Sequence, residues 1–488
     1  MRIKFLGIFA ISTSLLYVSC SDSTPSDNSA ENDTVTETAT DTSSCDCESA
    51  WFNGSTILAP NEGATSPFAG ETINCDFHQW SWQKFLFLTQ VEDGESLPFF
   101  LTAMEQVTSE MDPVTPENGH IVLTEYHQAG FHPGIMASND TYGDSPGNPQ
   151  TVYYSQHINS GFRNAAQDFR SIIEQYPDSV NNRWSFPVGA LELKISWVDV
   201  SALPATDTVN YFITEAELNG SSARVALLGM HVVGVVENHP EFIWATFEHN
   251  DLAAFYDWDN TVDSDIPVTS NNNLPFFNNQ DSAYLADIRW NDSEDSIRNP
   301  NNVFTLFEYG TPRVAGGDFM SGTSQNTPEE NFNNIDHLNQ SVHDTIASKG
   351  INLWTNYIYN GSIWMNMDNL SHAQQIDSIL SRVDNFADAH DGGPLRGSLN
   401  AFNITMETYE QTADNVAIYN IGIDSLQSCF TCHGPSSFQT IAGVDNAESA
   451  TYISHIFMNY MAEHDPDATV DQIRVTRRAL FRKMKNKK

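Results

Sequence analysis

The sequence predicts an α+β protein: a large mixed middle domain with antiparallel strands, followed by a small α-helical region at the C-terminal end. Three observations point there. Extended runs rich in β-branched and aromatic residues gather between residues 121 and 247. Helical periodicity flanks them at 76–90, 329–348 and 371–389. Strands and helices do not alternate as a regular βαβ series would require. Past residue 400 helical spacing returns at 448–461 and again around Ile473, Leu480 and Phe481.

Size and composition allow such a fold. At about 150 residues per domain, 488 residues amount to three domains' worth of chain, or fewer if one is large. The chain is 40% apolar, with 10 Trp, 16 Tyr and 29 Phe, enough to bury a core. Only 22 Lys and Arg stand against 63 Asp and Glu, a net charge of −41. Such an acidic body repels phosphate backbones, which excludes a general nucleic-acid binder.

The chain opens on Met1-Arg2-Ile3-Lys4, an apolar stretch from Phe5 to Val18, and then Ser19-Cys20. A basic start, a short apolar run and a small residue at the break describe a signal peptide over 1–19. Tyr17-Val18-Ser19-Cys20 resembles the lipobox of bacterial lipoproteins. That resemblance implies lipidation of Cys20 and an extracytoplasmic protein held by acyl chains on a bacterial membrane, at the outer membrane or the periplasmic face. No other apolar run approaches the length of a membrane span. The following Ser, Thr, Asp, Asn, Glu and Ala residues lack an aromatic up to Ser44, so a polar tether is expected over 20–50.

Three cysteines lie around the junction of the tether with the middle domain (51–400), as Cys45-Asp46-Cys47 and Cys75-Asp76-Phe77-His78. In an oxidising compartment one disulfide is expected, Cys75 with either Cys45 or Cys47, leaving one thiol over. The alternative is a Cys₃His metal site that includes His78. A helix is expected from Asp76 to Gln90, opened by a capping box at Asp76 and Gln79.

Strands are expected at Ile121 to Thr124, Leu191 to Trp197, Val209 to Thr214, Val225 to Val236 and Phe242 to Phe247. The last two read as a hairpin around a four-residue turn, Glu237-Asn238-His239-Pro240. His231 then falls opposite Thr246, and His231, Trp244, Thr246 and Glu248 share one face while His249 points away. Glu192, Lys194 and Ser196 form the polar face of Leu191 to Trp197. His231 and Glu248 are thus acid–base candidates, or else a hydrogen-bonded histidine and an ion pair on a solvated sheet face. Asp257, Asp259, Asp263 and Asp265 alternate like the start of a calcium loop, but Val262 stands where glycine is needed and no Glu closes it. His337 and His343, six apart, do not share a helix face. His390 to Pro394 is a turn. No phosphate loop, G-x-S-x-G, H-E-x-x-H or dinucleotide fingerprint occurs.

The motif with the most specific chemistry lies in residues 401–488: Ser428-Cys429-Phe430-Thr431-Cys432-His433, a C-x-x-C-H. Two thiols so spaced can add to the two vinyl groups of one haem, and the adjoining histidine is then held under the iron. A redox C-x-x-C should open a helix in a βαβ unit, and a zinc site needs a second ligand pair; neither context is present. This stretch is similar to the c-type cytochromes. The resemblance implies one covalent haem c, with Cys429 and Cys432 as thioether sites and His433 as proximal iron ligand. It also implies a Met on the other side of the iron, for which Met458 and Met461 are the candidates in the segment 448–461. His455, a distant residue or an open site are the alternatives. A Met–His iron passes electrons, whereas an open site admits ligand chemistry.

The sequence therefore predicts a membrane-anchored extracytoplasmic monohaem c-type cytochrome that exchanges electrons with a redox partner protein. Two alternatives stand beside it: a haem oxidoreductase with a substrate site in the middle domain, and a surface ligand-binding module with an accessory haem. The first is set apart by whether the His231–Glu248 face opens toward Cys429–His433. The charge is also uneven, for Arg474, Arg477, Arg478, Arg482, Lys483, Lys485, Lys487 and Lys488 form a basic C-terminal helix directly after the haem region. That tail either steers an acidic partner or lipid, or pairs with the acidic body.

Overall fold

In a computed structural model of the chain, the described residues are 45–123, 138, 144, 147–148, 150–175, 183–252, 302–304, 308–311, 327–381, 395–399, 401, 403, 405–406, 412–414, 428–435 and 449–463. Cys20, the Asp257–Asp265 run, His390 to Pro394 and the basic tail lie outside them. The fold is α+β.

Strands β1 (Phe52–Asn53) and β2 (Thr56–Ile57) form a short hairpin before helices α1 (Asn74–Thr89) and α2 (Phe99–Thr102). Then come β3 (Glu105–Val107), β4 (Ile121–Leu123), β5 (Val152–Ile158) and helix α3 (Ser160–Gln175). The centre is β6 (Leu191–Asp199), β7 (Ile213–Leu218), β8 (Ser221–Val236) and β9 (His239–His249). After β10 (Asn302–Phe304) follow α4 (Pro328–Ser348), β11 (Tyr357–Met365), α5 (His372–Leu380), β12 (Leu395–Gly397) and β13 (Thr412–Asp414), and last α6 (Cys429–Cys432) and α7 (His455–Glu463).

Nine strands form one sheet in the order β12-β11-β9-β8-β6-β5-β3, with β7 on β8 and β4 on β7. All its pairings are antiparallel except β4–β7. The period of two along β6 gives the sheet two working faces. Leu191, Leu193, Ile195 and Trp197 join Met230 and Val232 of β8 and Phe247 of β9 in an apolar cluster closed by α1 and α4. Val233 of β8 and Trp244 of β9 point to the other side, into a second cluster with residues of α3, α5, α6 and α7. Helices thus cover both faces.

Several elements differ from expectation for local reasons. Helix α1 begins at Asn74 rather than Asp76, because the Asp76 carboxylate accepts from the Ile73 N–H at 2.9 Å and so closes the first turn itself. The β8–β9 turn is two residues, Glu237-Asn238, since Val236 pairs with His239. Asn238 takes the positive φ of 60° that so tight a turn demands. Residues 208–210 form a 3₁₀ turn, so the strand expected from Val209 starts only at Ile213. Helix α4 starts where Thr327 accepts from the Glu330 N–H, with Pro328 at its first position. Helix α5 spans His372–Leu380 with Ser381 as its cap, and residues 382–389 of the expected helix lie outside the described ones.

Cys45 is joined to Cys75, which leaves Cys47 as the free thiol of the three. The Cys₃His alternative is not formed. His78 gives its two ring nitrogens to Tyr359 Oη (2.8 Å) and Asn331 Oδ1 (3.1 Å) inside the core. Cys45, 1% exposed, is part of the apolar core although it lies within the 20–50 expected as tether. Described residues from both sides of position 400, among them Ile363, Leu395, Phe430 and Phe457, share one apolar cluster. Among the described residues no helix is long and apolar enough to cross a membrane.

Candidate functional site

Strand register builds the floor of the site. Glu192 of β6, Val233 of β8 and Trp244 of β9 form one row across the sheet, Lys194, His231 and Thr246 the next, and Ser196, Gly229 and Glu248 a third. The expected opposition of His231 and Thr246 is therefore present, and Glu192, Lys194 and Ser196 share its face. His249 goes the other way, stacking on Tyr211 at 3.6 Å and donating its Nε2–H to Asn210 O at 3.1 Å.

The C-x-x-C-H segment lies against the first of these rows. Cys429 to Cys432 make one helical turn, and His433 N–H donates to Cys429 O at 2.8 Å, which carries the turn through the histidine. The Trp244 ring lies 4.2 Å from the His433 ring between centroids, and Phe430 packs edge-on against Trp244 at 6.2 Å. Glu192, at the other end of the row, accepts from Ser454 Oγ at 2.6 Å. Ser454 adjoins both groups that hold the histidine. The Ile453 carbonyl accepts from His433 Nδ1 at 3.0 Å, and the His455 ring stacks on His433 at 3.9 Å, tilted by 22°.

The carbonyl of Ile453 can only accept, so the proton of His433 sits on Nδ1 and the Nε2 lone pair is left as the ligating atom. Burial holds His433 well below the usual imidazole range, and the charges of His455 and Lys194, with a smaller part from His231, act in the same direction. The ring is thus neutral, the form that binds a metal. Burial pushes the Glu192 carboxyl up to about 7, against the pull of the Ser454 hydroxyl and the Lys194 ammonium.

The third row is tied to the loop that follows β12. Ser196 Oγ and Thr405 Oγ1 lie 2.6 Å apart, and Asn403 Nδ2 donates to Phe247 O at 3.0 Å. Gly229 has no Cβ because Asn403 occupies the space where one would stand. Glu248 accepts from Asn360 Nδ2, so its carboxylate is held within the sheet. Cys429 Sγ faces Ala401 O at 3.9 Å, which closes the loop onto the motif.

The sixth-ligand candidates all fall on α7. Met458 is 3% exposed within the second apolar cluster, and Met461 packs at its edge. His455 presents its ring face to His433; a ring nitrogen's lone pair lies in the ring plane, so this stacked geometry does not direct it along the His433 Nε2 axis. The expected continuous helix over 448–461 is broken. A 3₁₀ turn, Ala450–Ile453, ends at Ser454, whose hydroxyl then accepts from the Phe457 N–H at 3.3 Å as the cap of α7. A serine three residues before the apolar Phe457 is the signal that could have located this break, and with it the Ile453 carbonyl and the Ser454–Glu192 bond. His343, considered with His337, bonds Tyr357 O at 2.8 Å and serves the core.

The donor set suits a covalently held haem. Cys429 is half-buried with its sulfur facing Ala401 O, Cys432 is one turn along, His433 is neutral with Nδ1 held by the Ile453 carbonyl, and Trp244, Phe430 and Ile453 supply an apolar wall. Among the described residues no group of three or more His, Cys, Asp or Glu side chains is arranged to hold a metal ion by protein ligands alone. Comparison with known proteins returns no matching family, no similar curated protein and no similar solved structure.

Proposed function

We propose that this chain is a lipid-anchored, extracytoplasmic monohaem c-type cytochrome that passes electrons between partner proteins. The observation that carries the reading is the His433 environment: a C-x-x-C-H turn whose histidine is fixed through Nδ1 on the Ile453 carbonyl, leaving Nε2 as ligand. Cys429 and Cys432 supply the thiols that form the two thioethers, and His433 supplies the axial nitrogen. Bound there, haem c supplies a one-electron Fe(III)/Fe(II) couple. Trp244, Phe430 and Ile453 keep water from the histidine side and hold the ring in one orientation.

The test is a pyridine haemochrome spectrum of the protein matured outside the cytoplasm. A spectrum of thioether-linked haem, lost in Cys429→Ser/Cys432→Ser, is expected. Its absence, or a spectrum of non-covalent haem, overturns the reading. Anchoring is tested separately by labelled fatty-acid incorporation, expected in the wild type and lost in Cys20→Ala.

One observation favours the oxidoreductase as second reading: the His231 face is the one that meets His433 through Trp244. Against it, Ser196, Thr246 and Glu248 of that face are engaged by Thr405, Asn403 and Asn360. That arrangement is suited to holding the loop rather than to receiving a substrate.

A further inference from the structure

We propose, resting on the cytochrome reading, that two opposite charges carried by β6 set the reduction potential of the group bound at His433: Lys194 raises it and Glu192 lowers it. The two residues are two apart on one strand and so share a face, about 7 Å from each other along it. Glu192 lies in the row that ends on Trp244, the residue against the His433 ring, and its carboxylate holds Ser454 at 2.6 Å between the two residues that contact His433. Lys194 lies in the neighbouring row beside His231, half-buried, and its charge acts on His433. Among the described residues, the charges that act on His433 are those of Lys194 of β6, His231 of β8 and His455 of α7, and Glu192 of β6 reaches the same segment through Ser454.

The physical argument is Coulombic. Reduction of a ferric to a ferrous haem removes one positive charge at the iron. A fixed cation nearby favours the reduced form and a fixed anion the oxidised form, and low-dielectric surroundings strengthen both effects. The two charges oppose each other, so removing one uncovers the other. This makes opposite signs the signature of the arrangement; a general loosening of the site would move the potential the same way in both variants.

The experiment is potentiometric titration of the haem-loaded protein at pH 9, where the Glu192 carboxyl is charged. The forms compared are the wild type, Lys194→Gln, Lys194→Arg and Glu192→Gln, each with an unchanged far-ultraviolet circular dichroism spectrum. Lys194→Met, which keeps the stem, replaces Lys194→Gln if that variant does not fold. The potential is expected to fall when Lys194 is neutralised, to stay near the wild type in Lys194→Arg, and to rise in Glu192→Gln. Shifts of the same sign, or no shift in variants with an intact c-type haemochrome, overturn the proposal and leave the cytochrome reading standing. A wild type without covalent haem overturns both.

Discussion

Trp244 of the central sheet lies 4.2 Å from the ring of His433, a residue 189 positions later by the numbering, and joins the core of the sheet to the C-x-x-C-H turn. Its indole N–H donates to Glu241 O at 3.1 Å, which fixes the ring from the other end. The contact makes the sheet a structural support for the motif.

Trp244→Ala should therefore destabilise the fold and the motif together. Truncating a buried tryptophan costs about 3–5 kcal/mol. Urea unfolding is expected to show a loss in this range. Trp244→Phe, which keeps a ring but drops the indole N–H, should lose less than half as much. An alanine variant as stable as the wild type would show that the contact adds nothing to the fold.

The Cys45–Cys75 bond closes a loop with a sequence separation of 30. Cross-links of this span stabilise by about 3 kcal/mol through the unfolded state. Cys45→Ser/Cys75→Ser is expected to lose stability of that order. Cys47→Ser should leave the bond intact. Burial pushes the Cys47 thiol up to about 11, so alkylation of Cys47 in the native protein at pH 8 should be slow and should become fast in denaturant. Rapid native labelling would contradict this.

Glu192 gives a pH dependence of one sign. Its carboxyl titrates at about 7 when folded, against an ordinary 4.5. Between these values the native state keeps a proton that the unfolded chain has lost, so this residue's contribution to stability falls as pH rises through that window. At 1.36 kcal/mol per pKa unit the effect is on the order of 3 kcal/mol. The stability of Glu192→Gln relative to wild type should therefore improve from pH 5 to pH 8, read by denaturant unfolding. A difference independent of pH would reject the buried carboxyl as its source.

His78 gives the opposite sign. Burial lowers its imidazole to about 3 from an ordinary 6.5, with the Asn331 hydrogen bond acting the other way. Below pH 6.5 the unfolded chain takes up a proton that the native state refuses, so stability is lost as pH falls. Each such histidine contributes a slope of about 1.4 kcal/mol per pH unit between roughly pH 6 and 4. His78→Gln, although less stable at pH 7, should show a shallower decline in that range; an unchanged slope would exclude His78 as a contributor. His157, also lowered to about 3 by burial, leaves a residual slope of the same sign.

What was legible in the chain was local. Alternation from Leu191 to Trp197 shows a strand with two unlike faces, and period two then determines that His231 opposes Thr246 once a hairpin is assumed. Thr327-Pro328 marks the start of α4 because a cap and a proline at the first helical position are chemically distinctive. Strand β11 was missed because Asn360-Gly361-Ser362 reads as a turn. In the fold Gly361 instead adopts a φ of 126° at a bulge, where Ser398 closes on the space of a Cβ. Strand β5 and helix α3 were missed as well, since Tyr153-Tyr154-Ser155-Gln156-His157 alternates weakly. The C-x-x-C-H motif was plain from its spacing, but its setting was not. Trp244, Glu192 and the Ile453 carbonyl reach His433 through contacts between distant segments, and local patterning does not encode which distant segment a face will meet.

The bond between Cys45 and Cys75 has a mechanical consequence. Tension applied to the chain upstream of residue 45 passes through sulfur directly into the first turn of α1, the helix whose Trp82 and Phe85 sit fully buried under the sheet. Residues 46–74, with their small hairpin, lie off that line of force. A pull from the N-terminal side is thus borne by a covalent bond and the central helix, and the peripheral segment is not peeled away first.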